Sequence, residues 1–236
     1  MNKLIIDNVD ELSDLIITED TALLINLKDE SGFVHIDVMD NMCLYVLEFG
    51  NNTKNEIIYN LKDNSKVIVN KISYNTSDNI NINLNGKDAN ITYNSSIIND
   101  VNNNYYERIN HNASNTISSI SNHAINMKDA DFVFDIDAKV LNDSNDCNTS
   151  QDNRIINLGS GKNEIKPNLL VDNKLITATH SAYIGNFNKD IIFYLQTRGI
   201  KINEIKELLM LGFLLEKMEL TNDEKDKVNA FIKNYI

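Results

Sequence analysis

A β-solenoid followed by a helical tail is the fold class this sequence predicts, and three observations carry it. From Gly32 to about Thr179, short runs of β-branched and aromatic residues recur, each bounded by Asn, Asp, Ser or Gly, with several alternating strictly between apolar and polar side chains. Two-residue hairpin turns are nearly absent from this region, Asn85-Gly86 being the one Asn-Gly or Asp-Gly pair, so the strands read as successive coils rather than as hairpins of a sandwich. Beyond Asn188 the periodicity changes to that of helices.

Residues 1–31 read as an irregular lead-in, with the apolar groups Leu4-Ile5-Ile6, Leu15-Ile16-Ile17 and Leu23-Leu24-Ile25 separated by acids. Residues 32–186 form the β-helix core. Val34 to Val38, Leu44 to Phe49, Val67 to Val69, Ile80 to Leu84, Asn90 to Ile98 and Phe132 to Ile136 are its clearest strands. A solenoid coil buries its inner side chains only by stacking on its neighbours, so a ladder of similar apolar positions is expected. The abundant asparagine supplies turns, because Asn tolerates the left-handed backbone region and bonds its own main chain. Residues 187–236 form a helical subdomain. Asn188 caps a first helix that Gly199 stops, a second runs from Asn203-Glu204 to about Leu220, and a third from Asn222 to Ile236. The apolar positions of the second helix wrap more than half its circumference, which suits contact with two partners.

Composition excludes several functions. A net charge of -12 and the lack of a basic patch argue against nucleic acid or anionic membrane as partners. No apolar run reaches the roughly 20 residues of a membrane span, and Asp7, Asp10, Glu11 and Asp14 interrupt the start as no signal peptide would. The expected location is the cytoplasm. Cys43 and Cys147 are too few for a closed structural zinc site or an ordinary four-thiolate cluster within one chain.

Candidate chemistry is sparse. Gly159-Ser160-Gly161-Lys162 resembles part of a phosphate loop but lacks the upstream glycine and a following helix, so it reads as a solenoid turn. Asp131, Asp135 and Asp137 could flank a glycosidic bond in a groove, or be solvated residues of the outer face. His35, His111 and His123 read as structural. His180 has small neighbours, Thr177, Ala178 and Thr179 before it and Ser181 and Ala182 after it, which leave room for a ligand to approach the imidazole.

The segments Lys166 to Val171, Thr179-His180-Ser181-Ala182-Tyr183-Ile184-Gly185, Ile192-Phe193-Tyr194-Leu195-Gln196-Thr197-Arg198-Gly199-Ile200 and Leu208 to Leu214 resemble, in order and spacing, the C-terminal core of the SufB/SufD family of iron-sulfur cluster assembly proteins. Gln151 to Leu158 is similar to a further coil of that family, and the resemblance covers about Asn110 to Phe213. It implies a right-handed parallel β-helix with a C-terminal helical subdomain and a non-catalytic scaffold. The helices would dock a SufC-type ATPase, here through Phe193, Leu208, Leu209 and Phe213. A second scaffold chain, or a second copy in a homodimer, would pair with the β-helix, and a transient iron-sulfur cluster would be shared between the two.

His180 matches the histidine that the resemblance implies as an iron or cluster ligand at the scaffold interface. The SufB branch has a cysteine where Asp152 stands and an acid where Ser181 stands, so this chain resembles a short SufD-like form, with Cys147 a displaced second candidate ligand. Two rival readings are a β-helix carbohydrate-active enzyme and a purely structural SufD-like subunit that ligates nothing. Tyr194, Arg198 and Gly199 are assigned to architecture.

Overall fold

The computed structural model describes residues 1–171 and 173–236. Its body is two parallel sheets wound as one solenoid. One sheet stacks β1 (Asn2–Ile6), β3 (Thr21–Lys28), β5 (Cys43–Asn51), β7 (Lys66–Tyr74), β9 (Asn90–Asn99), β11 (Ile117–Asn126), β13 (Cys147–Asn157) and β15 (Ile176–Gly185) in that order. The other stacks β2 (Leu15–Ile17), β4 (Phe33–Val38), β6 (Glu56–Leu61), β8 (Asn79–Leu84), β10 (Asn103–His111), β12 (Phe132–Val140) and β14 (Asn163–Val171). The β-helix expected from the short bounded strands is therefore present. The expected lead-in is not irregular: β1 and β3 pair in register from Asn2 with Thr21 to Ile6 with Ile25, and the buried 3-10 residues Val9 and Leu12 close the end of the coil. Its acids lie in the turns between these strands, and the strands are short, β1 five residues and β2 three, so little alternation is visible in the sequence.

Register explains the core. Leu4, Leu23, Val46, Val69, Tyr93, Ile120, Gln151 and His180 stack in one inner column from β1 to β15. Leu23, Val46, Val69, Tyr93 and Ile120 are all buried, and each such aliphatic or aromatic side chain contributes about 1.5–3 kcal/mol relative to leaving it in water. The column turns polar at Gln151, and β14 and β15 end the two stacks, so their inward side chains have no further rung above them.

Asparagine serves both turns and strands. Asn41, Asn52, Asn64, Asn75 and Asn115 all take the left-handed conformation, with φ between 51° and 63°. On the outer face of the even-numbered sheet, Asn60 donates to Asp37 at 2.8 Å, Asn83 to Asn60 at 2.9 Å and Asn110 to Asn83 at 3.0 Å, a ladder that ties four coils together. The coil also grows: this ladder steps by 23 and then 27 residues, and Ser118 meets Thr149 after 31. Gly161 lies in the turn before β14, where a Cβ would stand 1.8 Å from the Ala130 carbonyl oxygen of the preceding coil; the Gly159 to Lys162 stretch is a solenoid turn.

Charged groups lie inside the coil. Lys71 is fully buried, with its ammonium 2.5 Å from both Glu48 Oε1 and Asp78 Oδ2. Burial disfavours that charge, but Asp78 and Glu48 together hold Lys71 above the usual lysine range. Farther along, Glu107 of β10 is fully buried and accepts a 2.6 Å hydrogen bond from Asn122. Burial pushes its carboxyl up to about 7, against the opposing pull of Asn122 and Lys71. The folded chain thus keeps a proton that the unfolded chain releases near 4.5. This stabilisation is complete below pH 4.5 and is lost as pH rises through 7. Glu107→Gln keeps the neutral form at every pH. Between pH 5 and 8 the wild type is expected to lose up to about 3 kcal/mol relative to this variant in urea unfolding, and parallel stability curves would refute the buried proton. His111, lowered to about 4 by burial, acts in the opposite sense below its ordinary value, but it is common to both chains and cancels.

Three helices follow the solenoid, α1 (Lys189–Thr197), α2 (Ile202–Leu215) and α3 (Asn222–Lys233), and of these α2 and α3 pack on one outer face. The Asn188 side chain caps α1, and Gly199 at φ 85° ends it, both as expected. The second helix stops at Leu215 rather than about Leu220, because Thr221 and Glu224 form a capping box that starts α3 and requires extended backbone at Thr221. Met210, Leu214, Met218, Val228 and Ile232 pack on the outward side chains Leu47, Phe49, Ile72, Ile98, Ile125 and Ile156.

Candidate functional site

The candidate site lies where the solenoid ends. His180 is exposed on β15, the last strand of its sheet, in register with Gln151, and Ala178 and Ala182 occupy the neighbouring inward positions. The imidazole is accessible because β15 is the last rung of its sheet.

On the opposite side of the same strand, Ser181 is in register with Asp152 and donates to it at 2.7 Å. Asp152 is a hub. Arg154 Nε lies 2.9 Å from Asp152 Oδ1, Lys217 Nζ lies 3.4 Å from Asp152 Oδ2, and Arg154 Nη1 reaches Glu216 at 3.2 Å. Burial pushes the Asp152 carboxyl up, but the Ser181 hydrogen bond and Arg154 outweigh it and hold the group below the usual carboxylate range. These contacts fasten the segment after α2 to the last two strands of the sheet. A shallow cavity of about 420 Å³ sits beside them, lined by Ser121, Ser150, Asp152, Thr179, Ser181 and Lys217. No sequence pattern pointed to this network, since Glu216 and Arg154 are 62 residues apart.

Cys147 is not beside His180. It opens β13, four residues before Gln151, which is about 13 Å along a strand. Its side chain is buried, with Sγ 3.2 Å from Thr116 Oγ1. Among the described residues no group of three or more His, Cys, Asp or Glu side chains is arranged to hold a metal.

The other histidines are engaged within the fold. His35 lies 2.9 Å from Asn60 and 3.2 Å from Asp37. The buried His111 ring contacts Thr116 at 2.7 Å and Ser118 at 2.9 Å. His123 stacks on Phe213 with ring centroids 4.7 Å apart, and its Nδ1 lies 2.8 Å from the Phe213 carbonyl oxygen. Asp135 and Asp137 flank Arg108 at 3.4 and 3.0 Å on the outer face of β12, and Asp131 accepts from the Lys162 amide at 2.7 Å. These carboxylates have partners rather than an open groove.

The docking candidates separate into two groups. Phe193 is 68 % exposed and Leu208 55 % exposed, alongside the exposed Ile191 and Tyr194. Phe213 packs inward on His123, and Leu209 is half-buried. Arg198 stacks over the Tyr194 ring, its guanidinium carbon 5.1 Å from the centroid. No described helix is long and apolar enough to cross a membrane.

The iron-sulfur cluster assembly protein SufD of Bacillus subtilis (strain 168) is 29% identical over 96 residues, a match that spans 40% of this chain and 22% of that protein. A family model described as the SufBD core domain of SUF system FeS cluster assembly matches residues 24–213. That match takes in nearly every coil, the terminal rung and α2, and by it the chain belongs to the SufBD core-domain family.

Proposed function

We propose that this chain is a non-catalytic scaffold subunit of a SUF-type iron-sulfur cluster assembly complex in the cytoplasm. It docks a SufC-type ATPase through α1 and α2 and pairs with a second scaffold chain, or with another copy of itself, at the open end of the solenoid. The nascent cluster is cargo at that junction, with His180 as a neutral imidazole ligand and the thiolates supplied by the partner chain. The observation that carries this reading is α1: none of its residues is buried, yet it presents Ile191, Phe193 and Tyr194 to solvent in a chain of this family. The Asp152 network supports a mechanical link, since it joins the end of α2 to the strand that holds His180.

Co-expression with the cognate SufC-type ATPase followed by size exclusion tests the docking, and separate elution of the two proteins would refute it. Anaerobic reconstitution of the assembled complex tests the ligand. His180→Ala is expected to lower iron and sulfide retained per complex at least several-fold without changing the elution volume. Unchanged loading would instead support the structural reading, in which the chain stabilises the complex and ligates nothing.

A further inference from the structure

The last turn of α2 and the residues just after it are tied to the sheet by side chains from successive strands. Ser96 of β9 donates to the Leu214 carbonyl oxygen at 2.5 Å, and His123 Nδ1 of β11 lies 2.8 Å from that of Phe213. On β13, Arg154 reaches Glu216, and Asp152 meets Lys217 with Oδ2 and Ser181 of β15 with Oδ1. Ser96, His123 and Arg154 stand in register as one outward row, and Asp152 and Ser181 belong to the next. The C-terminal end of α2 is thus an anchor, whereas α1, joined to its other end, has no buried residue. A partner that pulls on α1 moves α2 against this anchor.

The strand best placed to respond is β15. It ends its sheet, so β13 is its one hydrogen-bonded neighbour there. Side chains alternate along a strand, so Ser181 on the outer face and His180 on the inner one are joined by a single peptide bond. Any shift of Ser181 therefore carries the imidazole with it. Among the described residues, Asp152 is the one group whose hydrogen bonds and ion pairs link the end of α2 to β15, directly through Lys217 and again through Arg154 to Glu216. Each of these partly exposed contacts is weak alone, and their sharing of one carboxylate is what makes their effects interdependent.

We propose that Asp152 is a positioning residue that couples the end of α2 to His180. Displacement of residues 213–217 passes through Asp152 and Ser181 to β15, so a partner seated on α1 and α2 adjusts the imidazole on the last rung. The partner's share in this rests on the scaffold reading above; the coupling within the chain does not.

Hydrogen exchange of the intact chain, read by mass spectrometry, tests the coupling as a double-mutant cycle. Glu216→Ala/Lys217→Ala is expected to speed exchange of the β15 amides about fivefold while those of β5 and β7 keep the parent's rates. In an Asp152→Asn chain, where β15 already exchanges fast, the same pair should add less than about twofold. Ser181→Ala cuts the link without removing a charge and should reproduce the Asp152→Asn result, and Asp152→Glu should restore part of the protection. The His180 ring signal in NMR should follow the same pattern, with His35 and His111 as unmoved references. Additive effects in the cycle, or β15 amides indifferent to the end of α2, would overturn the proposal. In the complex, the ATPase should shift the His180 signal of the parent but not of Asp152→Asn, although both co-elute with it. Equal shifts in both chains would also overturn it. Separate elution of the parent and the ATPase would instead refute docking, and the cycle in the isolated chain would still decide the coupling.

Discussion

Lys71→Ala is expected to lower the unfolding free energy by about 3–5 kcal/mol, the largest single-residue effect in the solenoid. The reason is the geometry of its partners rather than the worth of the ion pair. Glu48 and Asp78 both lie 2.5 Å from the ammonium and are almost wholly shielded from water, so removing the lysine leaves two carboxylates facing each other in a low dielectric. Burial already pushes the Glu48 carboxyl upward, with Lys71 the main opposing influence. The variant must therefore take up protons on folding, and its deficit should shrink as pH falls. Replacing all three residues by apolar side chains of similar volume should recover much of the loss. Urea unfolding at pH 7.5 and 5 measures both points. A single variant within 1 kcal/mol of the parent would show that water reaches the triad.

Phe193→Glu combined with Leu208→Glu is expected to weaken binding of the SufC-type ATPase by at least 100-fold. Exposed aromatic and aliphatic anchors at an interface centre are each worth about 2 kcal/mol or more, and a buried carboxylate in their place adds a desolvation cost. At 68 % and 55 % exposure these side chains contribute little to the isolated fold, so the circular dichroism spectrum and the melting temperature should stay close to the parent's. Phe213→Ala is the contrasting control. It removes the ring stacked on His123 and should destabilise the chain itself. Titration calorimetry against the purified ATPase separates the two outcomes, and full-strength binding by the double variant would move the docking face elsewhere.

Much of this architecture was legible because a solenoid repeats one simple constraint. Alternation within each short run identified the inner face, and the shortage of Asn-Gly pairs correctly favoured coils over hairpins. The same alternation, carried one step further through Val67, Val69, Lys71 and Ser73, places Lys71 inside; a charge at an inward position was the missed signal. The first coil was misjudged because its strands are short and the acids between them, in the turns, read as breaks in the pattern. His180 was singled out by its small neighbours and by resemblance, and the register shows why it is reachable: it continues an inner column beyond the last rung that could bury it.

What the sequence by itself determined is the repeating local rule: strands bounded by asparagine turns, an apolar inner face and three helices, the first capped by Asn188. Propensity, alternation and caps act over a few residues, so they can be read from neighbours. Tertiary structure alone decided which helix side chains remain free, Phe193 and Leu208 outward but Phe213 inward. It alone brought Arg154 to Glu216, and it left Cys147 about 13 Å along the strand from the position His180 faces. These outcomes depend on coil length and on where the helices fall across the sheet, quantities summed over the whole chain that no local pattern encodes.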